Sequence, residues 1–124
     1  MSTQLWGQTA QLRLIRARVG LSQHDLASRL GVSRRTYQLM EQGRVPVPAG
    51  LLTDLDKVLD DFTAEVEKLR AVLIEKIGET VDLDEHADAW DLSVLAAVAN
   101  SIPVVVDSAV DREARQKQQE GVLR

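Results

Sequence analysis

The chain has 124 residues, 44% of them hydrophobic and 3% aromatic, no cysteine, and a formal net charge of −4. That length predicts one domain or a small domain with an appendage, and the missing thiols exclude disulfides, thiolate metal sites and cysteine nucleophiles. No apolar run approaches the ~18 residues of a membrane span and residues 1–6 carry no signal-peptide pattern, so a cytoplasmic protein with no membrane partner is expected.

Leu12, Ile15 and Val19 recur at spacings of three and four, which predicts an amphipathic helix from about Gln8 to Val19. Gly20 stops it, and Ser22 restarts the chain as an N-cap, with Asp25 in the capping-box position. A brief second helix follows, roughly Gln23 to Leu30, with Leu26, Ala27 and Leu30 on one side. Gly31 ends it where a left-handed residue is commonly needed. Ser33 caps a third helix running to about Gln42, with Tyr37, Met40 and Glu41 along one face, and Gly43 terminates it. Pro46 and Pro48 stiffen the next loop, and Pro48 suits a first helical turn.

From Ala49 to about Glu79 there is no proline and no glycine after Gly50 until Gly78. Leu52, Leu55, Leu59, Phe62, Val66, Leu69 and Leu73 alternate spacings of three and four. That pattern predicts one long helix with a heptad seam, although Asp60-Asp61 also fits a cap between two shorter helices. Thr80 to Asp91 reads as an acidic, solvated connection, and Leu92, Leu95, Ala96, Ala99 and Ile102 as a further helical stripe. Pro103 breaks or kinks that stripe. Val104, Val105 and Val106 fit a helix or a short strand, and Asp111 to Glu120 a solvated helix. The expected fold class is all-α.

The acidic average conceals an asymmetry. Residues 1–48 hold seven basic and two acidic side chains, a surplus of +5, whereas residues 49–124 hold eight basic and seventeen acidic ones, a deficit of −9. Within the basic part, residues 23–40 have the makings of two helices crossing steeply. Ala27 is small enough for the crossing, Gly31 permits the tight turn, and Val32, Tyr37 and Met40 can anchor the second helix of the pair. Ser33, Arg34, Arg35, Thr36 and Gln38 then remain outward at its N-terminal end. Arginine can engage guanine at two points, glutamine adenine, and the positive helix end suits phosphate.

The stretch GLSQHDLASRLGVSRRTYQLMEQGRVPVP resembles the lambda-repressor-like, or XRE, helix-turn-helix family over about residues 12–59. The apolar spacings beyond that stretch add a long helix and a C-terminal helical segment, and with the charge asymmetry they divide the chain into a DNA-binding domain of residues 1–60 and an acidic dimerisation or partner segment of residues 61–124. The resemblance implies a helix-turn-helix bundle. It implies that Gln23 contacts a phosphate and props a base-reading side chain, that Arg34 and Arg35, beside Thr36 and Gln38, read bases, and that Arg44 touches the DNA backbone. It further implies a structural ion pair between Arg16 and Glu41. Two departures from the family pattern stand out. Leu39 occupies a position where some relatives place a polar base reader, and no glycine-containing turn follows the fourth helix.

His24 and His86 lack ligand-like neighbours, and the acidic run lacks the glycine and ligand order of a calcium loop, so no metal and no cofactor is expected. Trp6 and Trp90 fit either a core or an interface. No phosphate loop, catalytic carboxylate pair or serine with a partner base is present, which argues against an enzyme. The expected function is a sequence-specific, double-stranded DNA-binding regulator acting as a homodimer, mainly a repressor. The alternative is an antitoxin-type module whose C-terminal half masks a toxin while the helix-turn-helix autoregulates.

Overall fold

Capping residues and glycines divide the first half of the chain as their chemistry dictates. The computed structural model describes residues 2–86 and 88–122, with side chains described for 9–86 and 88–121; Trp6 lies outside the described side chains. Helix α1 (Ser2–Val19) begins earlier than the apolar spacing suggests. Helix α2 (Gln23–Leu30) starts at Ser22, whose Oγ accepts from the Asp25 N–H at 3.1 Å and donates to the Asp25 carboxylate at 2.8 Å. Leu21 and Leu26 flank that cap at the staple positions, and both are buried. At the other end Gly31 adopts φ 73°, which permits two closing bonds: Gly31 N–H to Ser28 O, and Val32 N–H to Ala27 O. Helix α3 (Arg34–Glu41) repeats the design, with Ser33 as N-cap and Gly43 at φ 75° beyond its end. A side chain at either glycine would be strained by the backbone alone.

Helix α4 (Ala49–Ile74) is a single helix of 26 residues that runs through Asp60-Asp61 without a break and ends before the expected Glu79. Its heptad seam is not a uniform free stripe. Leu51, Leu55, Val58 and Phe62 are buried, whereas Leu52, Leu59, Val66, Leu69 and Leu73 are half-buried. The chain divides into two compact units, Met1–Val66 and Glu67–Arg124. In the first, α2 and α1 both pack on α3, and Leu12, Val19, Leu26, Tyr37, Met40 and Leu55 are almost wholly excluded from solvent.

The second unit corrects the reading of the acidic stretch as a mere solvated connection. Thr80–Asp82 forms strand β1, and Leu83–His86 a turn of 3₁₀ helix. After α5 (Ala89–Ala99), strand β2 (Val105–Asp107) pairs with β1 in parallel, Val81 opposite Val106 and Asp82 opposite Asp107. The fold is thus helical with one small two-stranded sheet, and the helical crossover supplies the long connection that parallel strands require. The neighbouring Asp82 and Asp107 are tolerated because arginines of α6 (Ala109–Val122) neutralise them. Arg115 makes a two-point pair with Asp107, at 2.7 and 3.1 Å, and Arg112 lies 3.6 Å from Asp82 and from Asp84. Asp84 also accepts from the Ala109 N–H at 2.8 Å, at the start of α6.

Asp88 caps α5 by accepting from the N–H groups of Trp90 and Asp91. The buried stripe of α5 is Trp90, Val94, Leu95 and Val98; of the expected Leu92, Leu95, Ala96, Ala99 and Ile102, Leu95 and Ile102 are buried, whereas Leu92, Ala96 and Ala99 are exposed. The helix is apolar almost all round, so periodicity carries no phase and the bulky Trp90 and valines take the interior. Ile102 is buried beyond the helix end, just before Pro103. The described side chains of α6, residues 109–121, are exposed.

Candidate nucleic-acid interface

The first unit places a set of hydrogen-bonding side chains around the N-terminal end of α3. Ser33 fixes the first turn, since its Oγ accepts from the Thr36 N–H at 3.1 Å and lies 2.8 Å from the Thr36 hydroxyl. Beyond that cap Arg34, Arg35 and Thr36 are exposed. The two guanidinium groups extend the positive end of the helix outward. Arg44 is also exposed, directly after the glycine that closes α3.

Gln23, the first residue of α2, and Gln38, on the second turn of α3, are both half-buried. They join across the turn: Gln38 Nε2 donates to Gln23 Oε1 at 3.1 Å. Gln23 Nε2 in turn donates to Glu41 Oε1 at 3.4 Å, which ties the glutamine pair to the core. No local spacing announces this last contact, because 18 residues separate the two partners.

Glu41 is 8% exposed and is held by Arg16 through two bonds, Nη2 to Oε1 at 2.8 Å and Nε to Oε2 at 3.0 Å. Burial alone would raise the Glu41 carboxyl pKa, but the Arg16 bonds, with help from Tyr37 and Gln23, outweigh it and hold the group below its ordinary range. The same bond raises the Arg16 pKa further, against the opposing effect of burial. Tyr37 is fully buried beside the pair, with its Oη lacking a hydrogen-bond partner of good geometry. Burial first, and the Glu41 carboxylate second, push its pKa well up, so Tyr37 stays a neutral phenol.

The turn, the two capped helices and the charged outer face converge on one family. Residues 9–69 match a family model described as a helix-turn-helix domain. Residues 9–69 are a helix-turn-helix domain. No match was found among curated proteins or among solved structures. Such domains are DNA-binding modules of regulators, in which the second helix of the pair lies in the major groove; α3 is the second helix of the pair here.

The helix-turn-helix domain brings Gln23 and Gln38 together and leaves Arg34, Arg35, Thr36 and Arg44 pointing into solvent. Ser33 serves the helix end through its side chain. Leu39, one of the two departures from the family pattern, is half-buried. Sequence reasoning missed the cluster of Asp82, Asp84, Asp107, Arg112 and Arg115 in the second unit. A signal was present: Val81-Asp82 and Val106-Asp107 repeat the same apolar-acidic pair before a turn or helix. No helix among the described residues is long and apolar enough to cross a membrane, and no group of His, Asp and Glu among them is arranged to hold a metal ion.

Proposed function

We propose that this protein is a sequence-specific, double-stranded DNA-binding transcriptional regulator of the lambda-repressor-like, XRE type, acting mainly as a repressor in the cytoplasm. It works by binding, without enzymatic chemistry, cofactor or metal. The observation that carries this reading is the exposed Arg34-Arg35-Thr36 group at the capped start of α3, beside a glutamine pair held at 3.1 Å. In the bound state Arg34 and Arg35 take guanine edges, with Thr36 and Gln38 beside them. Gln23, Ser33 and Arg44 contact phosphates and set the register. A single head of this size makes few base contacts, so the regulator acts as a homodimer on a two-fold site, its half-sites about 34 Å apart. The acidic second half disfavours non-specific DNA binding by repulsion.

Selection of bound sequences from randomised duplexes tests this reading. A palindromic consensus with half-sites about one helical turn apart is expected; recovery of unselected sequence contradicts it.

The antitoxin-type reading draws on another observation. Ile77, Val105, Val106 and Val110 are exposed in a strongly acidic second unit, and such apolar residues suit a protein partner. Co-purification of a basic protein from the native host would favour that reading. A homodimer purified alone from that host would count against it.

A further inference from the structure

Strand β2 combines an open backbone edge with exposed apolar side chains. Each strand of a two-stranded sheet presents one row of backbone N–H and C=O groups to the outside. Among the described residues, Val105 and Val106 make no backbone hydrogen bond beyond the pairing with β1. Val105 is 54% exposed and Val106 42%, and side chains alternate along a strand, so both faces of β2 are open. Native proteins blunt such edges with charge or cover them, and Val104-Val105-Val106 carries no charge. Charge also separates the two edges of the sheet. Residues 75–91, which include β1, hold seven acidic side chains and one basic, whereas residues 103–122, which include β2, hold four and three. Asp107, at the end of β2, is already paired with Arg115 at 2.7 Å. A basic partner would be drawn to the acidic stretch and not to β2. A nearly neutral strip of valines suits a surface like itself.

We propose that two copies of the chain join through β2, which pairs antiparallel with itself about a two-fold axis to make a four-stranded sheet ordered β1-β2-β2-β1. The proposal rests on the homodimer of the proposed function and names its contact. A two-fold contact needs a surface complementary to itself, and a further strand stabilises a sheet that has only two. An antiparallel ladder opposes residues of the same hydrogen-bonding orientation, so the axis falls on a residue and not between two. With the axis at Val105, that residue meets its own copy, Val104 meets Val106, and Asp107 meets Pro103. Every valine then faces a valine, and the two Asp107 carboxylates stay apart. An axis at Val106 would set Val105 against Asp107 instead. Pro103 has no N–H to donate, so the ladder stops there.

The chain has no cysteine, so one introduced thiol reports on a single contact. Opposed residues of an antiparallel ladder have Cα atoms about 4.5–5.5 Å apart, within reach of a disulfide. The full-length wild type should sediment as a dimer, and Val105→Cys should oxidise to a disulfide-linked dimer. Val106→Cys, whose two copies lie out of step, should link poorly alone but readily with Val104→Cys when the two variants are co-expressed. Ile77→Cys, at a site 55% exposed in the same unit, should stay unlinked. Val105→Lys brings two like charges together and should weaken the dimer by about tenfold or more, with helical content by circular dichroism unchanged. A dimer in which Val105→Cys links no better than Ile77→Cys or Val106→Cys overturns the proposed contact and leaves the homodimer standing. So does a dimer undiminished by Val105→Lys. A wild type that is monomeric at every concentration overturns the contact and the homodimer together; selective binding of a single half-site by that monomer would leave the DNA reading intact.

Discussion

The two units of the chain hold themselves together by different means. Among the described residues, the first unit buries fourteen apolar side chains, from Leu12 to Phe62, and the second buries five, all between Trp90 and Ile102. In the first, the Arg16–Glu41 ion pair joins a partly exposed arginine to a buried glutamate, where it ties α1 to α3. In the second, the acid–arginine cluster lies at the surface and connects α6 to the strands, because none of the described side chains of α6 is buried to hold it. The lesson is one of division. Under the proposed function a DNA-reading head must keep its side chains in place, and a dense apolar core does that irrespective of salt. A peripheral helix secured by exposed charges responds to salt and acid.

The largest effect that would test this contrast is loss of packing. Leu55→Ala removes a side chain that is 0% exposed and should destabilise the first unit by about 3 kcal/mol in urea unfolding. Ile77→Ala, at a site 55% exposed in the second unit, should change stability by less than about 0.5 kcal/mol. Equal effects from the two would erase the distinction.

Next in size is the ion pair. Arg16→Ala leaves the Glu41 carboxylate buried without its main partner and should cost about 2 kcal/mol, reduced from a fully buried case by the water that reaches Arg16. The folded Glu41 pKa lies below its unfolded value. Its contribution is therefore complete above the ordinary glutamate range and disappears as pH falls through the lower, folded value. The wild type should lose stability in that acid window, and Arg16→Ala should lose less. An identical acid dependence in both would break the account.

The smallest effect belongs to α6. Arg115 first, aided by the Ser108 N–H and Arg112 and opposed by desolvation, holds the Asp107 carboxyl below its ordinary pKa. The support it gives is present above the ordinary aspartate range and is lost as pH falls through the folded value. Amide hydrogen exchange across residues 109–121 should quicken in Arg115→Ala, at high salt and in acid, while α2 and α3 stay protected from the salt effect. Exchange in α6 that is insensitive to all three changes would show that something other than charge holds it.

What was legible in the sequence follows the same contrast. In the first half, Ser22, Gly31, Ser33 and Gly43 act within a few residues of their positions, so local chemistry sets the ends of α2 and α3 directly. The Gln23 contact to Glu41 was hidden because it joins residues that are neighbours only after α2 and α3 pack. The second half gave poorer signals. Three-residue strands such as Thr80–Asp82 are too short to show alternation, and their pairing depends on a partner 25 residues away. Asp82 looked like a solvated acid because its arginine partner lies in a helix with no apolar face. In α5 the nearly continuous apolar surface concealed which side is inside, and Trp90 settles it by bulk.

The central claim is that the helix-turn-helix domain reads DNA through the start of α3. The most direct measurement is equilibrium binding of the full-length chain to its selected duplex and to an unrelated one, across a salt series, for wild type and the Arg34→Ala, Arg35→Ala double variant. The account predicts that the double variant loses most of its preference for the selected duplex. Its log–log salt slope should fall by about 0.9 for each phosphate contact removed, and by less where the arginines meet bases. A double variant that binds as tightly and as selectively as wild type would contradict it.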